Sequence, residues 1–169
     1  MGLFLSTSKH KIDRKGRVSV PAPFRAALEG ESFKGVALAL PLSDEPCLEG
    51  SGLSRIARIA RSLSAMNPLA AERDALATAL LAGVTQAAFD AEGRIVLPEE
   101  LIAAADLEGE ALFAGLGDKF QIWRPDRFEA RRAEARAVAR RMADKLPWGG
   151  AADLGGGADE REGGAGDRE

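Results

Sequence analysis

"IDRKGRVSVP" at residues 12–21 returns 77 positions later as "FDAEGRIVLP" at residues 89–98. The two phrases share an apolar residue, Asp, two variable positions, Gly-Arg, three mostly apolar positions and Pro. Asp13 with Gly16, and Asp90 with Gly93, stand first and fourth in a four-residue run. These are the preferences of a type I turn, in which Asp bonds the backbone two residues on and Gly accepts a positive φ. The phrase therefore predicts a tight hairpin. Its second strand, "RVSVP" or "RIVLP", stops at a Pro that has no N–H for a ladder.

The surroundings of the phrase repeat as well. "APFRAALEG" follows Pro21, with Phe24 and Leu28 four apart and Gly30 placed to cap a short helix. "EELIAAADLEG" follows Pro98, with Glu99 and Glu100 suited to a helix N-terminus and Gly109 closing the turn. Further strands are predicted at residues 35–40 and 111–116, then at 47–49 and 120–123. Each half reads strand, turn, strand, helix, strand, strand. A unit of that size is too small to fold alone, and two copies burying a common surface solve the problem.

Helices account for the rest. Over residues 53–63, Ile56, Ile59, Ala60 and Leu63 make one apolar face, with Arg55, Arg58 and Arg61 off it. Asn67-Pro68 interrupts, and helix resumes to Gly83. A third helix over residues 126–146 places Phe128, Ala135, Val138, Met142 and Leu146 on one side. Residues 124–145 hold eight cations against four acids.

Composition narrows the function. The chain has 169 residues, 46% of them hydrophobic, and a net charge of −3. Residues 149–169 carry six acids, two arginines and a single large apolar residue, Leu154; that composition predicts a disordered tail. The whole chain's −3 less the tail's −4 leaves +1 for residues 1–148. The lone Cys47 and the absence of a signal sequence or a long apolar run predict a soluble cytoplasmic protein. One His and one Cys cannot make a zinc site, no Ser or Cys motif accompanies His10, and no Gly-rich phosphate loop precedes a helix. The reading is a protein that is not an enzyme and uses no cofactor, with His10 an exposed strand residue.

The first turn is the candidate site. Residues 9–17, "KHKIDRKGR", pack five cations and one acid into nine positions. A tip bearing Lys9, Lys11, Arg14, Lys15 and Arg17 suits phosphates, and its arginines suit guanine edges in a major groove. From the turn alone, the simpler reading is a solvated polar tip. The second turn has Ala91 and Glu92 where the first has Arg14 and Lys15, giving residues 90–94 a charge of −1.

The two Asp-x-x-Gly-Arg phrases, "SLSAMNP" at residues 62–68 between them, "PCLEG" and "DKFQIW" closing the halves together resemble the MraZ family of bacterial transcriptional regulators. The resemblance covers about residues 1–146. It implies an α+β protein with a mainly β core, a swapped-hairpin, AbrB-like pseudo-symmetric barrel made of two SpoVT-AbrB repeats. The repeats fall at residues 7–51 and 83–126, joined by a helical linker at 52–82 and followed by a helix at 127–148 and the tail at 149–169. It implies sequence-specific binding of double-stranded DNA at short direct repeats, in regulation of the division and cell-wall gene cluster including the chain's own operon. It implies ring-like homo-oligomers associated with the nucleoid, with no membrane and no small-molecule ligand as partner. In the family the motif Arg, here Arg17 and Arg94, is associated with DNA contact, and the Asp, here Asp13 and Asp90, with holding the turn. "EGSGL" after "PCL" is less apolar than the family pattern, so that strand is expected to end early. The tail has no counterpart in the family pattern. The charge contrast suggests division of labour, the first turn on DNA and the second serving the fold or subunit contacts. The competing reading is an AbrB-like oligomeric protein-interaction scaffold that does not bind DNA.

Overall fold

The computed structural model describes residues 2–145. The expected tail at 149–169 and the apolar position Leu146 lie outside the described residues. The described chain divides into two units at the boundary between residues 128 and 129. The first unit holds both halves of the repeat. Its first half contains β1 (Thr7–Lys11), β2 (Arg17–Ser19), α1 (Ala22–Ala27), β3 (Gly35–Ala39) and β4 (Cys47–Ser51). Two helices follow, α2 (Leu53–Ser64) and α3 (Ala71–Ala77), the latter running into a π-helical turn at Thr78–Ala82. The second half contains β5 (Thr85–Ala88), β6 (Arg94–Val96), α4 (Glu99–Ala104), β7 (Glu110–Gly115) and β8 (Phe120–Trp123). Helix α5 (Pro125–Met142) ends in a 3-10 turn at Ala143–Lys145. No helix among the described residues is long and apolar enough to cross a membrane.

The two halves exchange strands. Six strands form an open antiparallel sheet in the order β1-β7-β8-β4-β3-β5, while β2 and β6 pair as a separate ribbon. Exchanging the halves reproduces this order read backwards. Strand β1 pairs with β7 of the other half, and β5 with β3. The expected local hairpin therefore stops at its turn: Ile12 and Val18 make one bridge, and beyond it the arms separate. The reason is burial. Val18 and Val20 from one half join Ile95 and Leu97 from the other in one shared core.

That core takes side chains from both sheets and from α1. Phe4, Phe24, Phe113 and Phe120 sit at its centre with ring centroids 5.0–6.2 Å apart. Each fully buried Phe contributes about 1.5–3 kcal/mol relative to exposure. Strands β3 and β7 are buried on both faces, which explains their near-continuous apolar runs. Strand β4 does not end early: it continues through Gly50 and Ser51, both buried. Gly50 is there because the Phe120 ring lies where its side chain would be.

Both helices after the prolines form, and their caps differ from the glycines expected. Helix α1 is capped at Leu28, not Gly30. After α4 the left-handed residue is Asp106, with φ 51°, while Gly109, with φ 63°, opens the next strand. Asp106 tolerates that conformation and its carboxylate takes Arg127 at 2.7 Å and Arg124 at 3.1 Å. Helix α2 buries Leu63 and half-buries Ile56, Ile59 and Ala60, as its periodicity predicts. Its Arg55 and Arg58 pair with Asp118. Helix α5 buries nothing: Phe128 packs beside Trp123, but Val138 and Met142 of the predicted apolar side are exposed.

Candidate nucleic-acid interface

The two turns share one hydrogen-bond plan. Asp13 Oδ1 accepts from the backbone N–H groups of Lys15 and Arg17, both at 2.9 Å, and Oδ2 accepts from Arg17 Nε at 2.6 Å. The Gly16 N–H donates to the Asp13 carbonyl at 3.0 Å. In the second turn Asp90 accepts from Glu92 and Arg94 N–H at 2.9 Å and from Arg94 Nε at 2.7 Å. The Arg17 backbone N–H, foremost among these donors, holds the Asp13 carboxyl below its ordinary value, and that of Arg94 does the same for Asp90. Both Asp residues thus hold the turns and orient the motif arginines.

Each turn is also tied to the opposite half. The Leu97 N–H donates to the Gly16 carbonyl at 2.8 Å, and the Val20 N–H to the Gly93 carbonyl at 3.2 Å. Gly16 and Gly93 have φ +78° and +75°, a region that favours glycine. A Cβ on Gly16 would lie 2.7 Å from the Leu97 carbonyl oxygen.

The exchange builds a two-stranded face that neither turn has alone. In the β2–β6 register Arg17 opposes Val96, Val18 opposes Ile95 and Ser19 opposes Arg94. Val18 and Ile95 point into the core, each 1% exposed. Arg17, Ser19, Arg94 and Val96 therefore share the outer face. Arg17 and Arg94 are diagonal neighbours, roughly 7–8 Å apart by strand geometry. Their environments differ in one respect. Arg94 Nη2 lies 3.3 Å from Glu92 Oε2, whereas among the described residues only Asp13 pairs with Arg17.

Lys9, Lys11, Arg14 and Lys15 are exposed and, among the described residues, make no ion pair. Lys9 and Lys11 occupy the outer positions of β1, an edge strand, where lysines also discourage edge-to-edge pairing. His10 is not the exposed strand residue expected. It is half-buried, its ring meets Phe113 edge-on at 5.6 Å, and Ser8 Oγ lies 2.8 Å from Nε2. Burial, and then the charge of Arg25, hold its pKa below the usual value.

Arg25 is the residue that sequence reasoning missed. Its guanidinium lies against Gly93, where a Cβ would meet Nη1. The 77-residue offset gives Ile102 as its counterpart, and Ile102 Cδ1 lies under Gly16. The second turn, acidic in its own sequence, thus has a cation lent by α1. Aligning the two post-proline helices was the signal available, since Arg25 then faces an apolar position.

The family model for the MraZ protein matches residues 3–73 and 80–145, spans that include both turns. The chain is 40% identical over 139 residues to the transcriptional regulator MraZ of Rickettsia typhi, covering 82% of this chain and 93% of that protein. It is 39% identical over 139 residues to the transcriptional regulator MraZ of Rickettsia akari, with the same coverage. Over 140 residues it is 39% identical to the protein of that name from Rickettsia bellii, again covering 82% and 93%.

Proposed function

The chain belongs to the MraZ family, and from that premise we propose that it is a transcriptional regulator that binds double-stranded DNA through the outer face of the β2–β6 ribbon and the first turn. The observation that carries this reading is the diagonal placement of Arg17 and Arg94 on one antiparallel ribbon. Two-stranded ribbons fit a major groove, and arginine pairs with guanine O6 and N7. The Asp–Nε contacts fix each side chain and leave both terminal nitrogens of Arg17, and Nη1 of Arg94, for the bases. Lys9, Lys11, Arg14 and Lys15 take backbone phosphates, which position the ribbon without reading sequence.

The targets are short direct repeats upstream of the division and cell-wall gene cluster, including the chain's own operon. Copies assemble as a ring-like homo-oligomer in the cytoplasm, at the nucleoid. Several weak ribbon contacts on adjacent repeats then combine through effective concentration. The protein works without a cofactor and is not an enzyme.

The test is a fluorescence-anisotropy titration of the full chain on its own upstream duplex and on a scrambled duplex of equal length. Tighter binding to the upstream duplex, weakening steeply with salt, is expected. Equal and negligible binding to both, with the assembly intact by light scattering, would favour the scaffold reading instead.

A further inference from the structure

Helix α5 carries a second cationic surface. Residues 129–145 hold six cations and three acids. Every residue from 133 to 142 is exposed, and no residue of the helix is buried. Arg132, Arg136 and Arg140 stand four residues apart, so they stack on one face at intervals of about 6 Å along the axis. Arg132 lies 4.0 Å from Glu129. Among the described residues Arg136, Arg140 and Arg141 make no ion pair.

Like charges at this spacing destabilise a helix. At the C-terminal end Arg140 and Arg141 are offset by the helix dipole; Arg136, in the middle, is not. Arg136 and Arg140, with Arg141 beside them, are open to solvent and unpaired among the described residues, and a line of anions would match them and relieve the repulsion. The alternative anionic surface, a lipid headgroup layer, needs an apolar face to insert. Between residues 129 and 145 the chain has no Trp, Phe, Leu or Ile, only Val138 and Met142 among alanines. The spacing and chemistry favour the nucleic-acid backbone.

We infer that the Arg132–Arg136–Arg140 face of α5, with Arg141 beside it, binds the phosphate backbone of double-stranded DNA without reading its sequence. The inference rests on the chain being a DNA-binding protein but not on the ribbon reading bases. An arginine fork donates paired N–H groups to phosphate oxygens, and each neutralised phosphate releases condensed counterions.

The test replaces Arg136, Arg140 and Arg141 with Gln, a good helix former, in the full chain. Affinity is measured over a salt series on the upstream duplex and on the scrambled one. The slope of log affinity against log salt should become shallower by about 0.9 per lost contact, on both duplexes equally. The ratio between the duplexes should not change. The matching triple Lys variant should restore the slope, because a phosphate contact needs the charge and not the fork; it also guards against a folding defect, with helicity followed by circular dichroism. An unchanged slope in the Gln variant overturns the inference while the ribbon reading stands. A wild-type ratio of one with a shallower Gln slope sinks the ribbon reading and keeps the inference. Loss of binding to phosphatidylglycerol vesicles with no change on DNA overturns it in favour of a membrane.

Discussion

Arg17 and Arg94 come from phrases 77 residues apart and end as diagonal neighbours on the outer face of one ribbon. Each is held by the Asp four residues before it. A two-arginine face made this way exists only when both halves have folded together. The fold and the candidate site therefore share one cause, the exchange of strands between the halves.

Replacing Arg17 with Lys keeps the charge and removes the planar fork. Discrimination between upstream and scrambled duplexes should fall by about tenfold or more, since one bidentate guanine contact is worth about 1–3 kcal/mol. The salt slope should stay unchanged. The same change at Arg94 should cost less, because Glu92 already engages Nη2. Equal discrimination by the wild type and the Arg17→Lys protein would remove Arg17 from the base-reading role.

The turn glycines separate backbone strain from crowding. Both have positive φ, so alanine costs about 1 kcal/mol at either position. At Gly16 the new methyl also meets the Leu97 carbonyl, which is fixed by its place in the swapped core. At Gly93 it meets the end of Arg25, a side chain that can swing away. Gly16→Ala should therefore lower the melting temperature more than Gly93→Ala, by calorimetry at neutral pH. The reverse order would show that Arg25 is locked under the second turn.

Much of this was legible in the sequence, because the repeat constrains it twice. The Asp and Gly positions gave the turns, the prolines gave strand ends and helix starts, and "FQIW" gave β8 to the residue. The partner choice of the strands was not legible from local pattern: a tight turn and an alternating arm look the same whether the arm folds back or crosses over. The family resemblance supplied the crossover. Gly50, within the segment expected to end the strand early, is instead required by a ring, Phe120, 70 residues away. Arg25 is not legible from the turns' own charges, because its cation arrives from a helix.

Acid should unfold the protein partly through the two turns. The carboxyls of Asp13 and Asp90 are held below their ordinary value of 3.8. A carboxyl depressed in the folded state binds its proton more readily when unfolded. The stabilisation is thus complete above the ordinary value and is lost as pH falls through the lower folded value. Asp13→Asn should keep the turn's backbone bonds to Oδ1 while losing the ion pair with Arg17. Its melting temperature should lie below the wild type's at pH 7, and the two should converge towards pH 2. Parallel curves with no convergence would mean that other carboxyls, such as Asp106, carry the acid sensitivity.

Glu92→Lys tests whether the second turn belongs to the DNA face. It puts a cation where the first turn has Lys15 and releases Arg94 from its contact with Glu92. A strict division of labour between the turns predicts no effect. The ribbon geometry predicts the opposite, because Arg94 shares the outer face with Arg17 and Arg25 already reduces the negative charge beneath the second turn. Affinity for the upstream duplex should rise and the salt slope should steepen by up to about 0.9 for each copy engaged. The control is Glu72→Lys on α3, an exposed site with the same change in net charge. A general gain from charge would appear in both proteins, whereas a contact appears only at position 92. If Glu92→Lys matches its control, with assembly unchanged by light scattering, the second turn faces away from DNA and the first turn alone reads it.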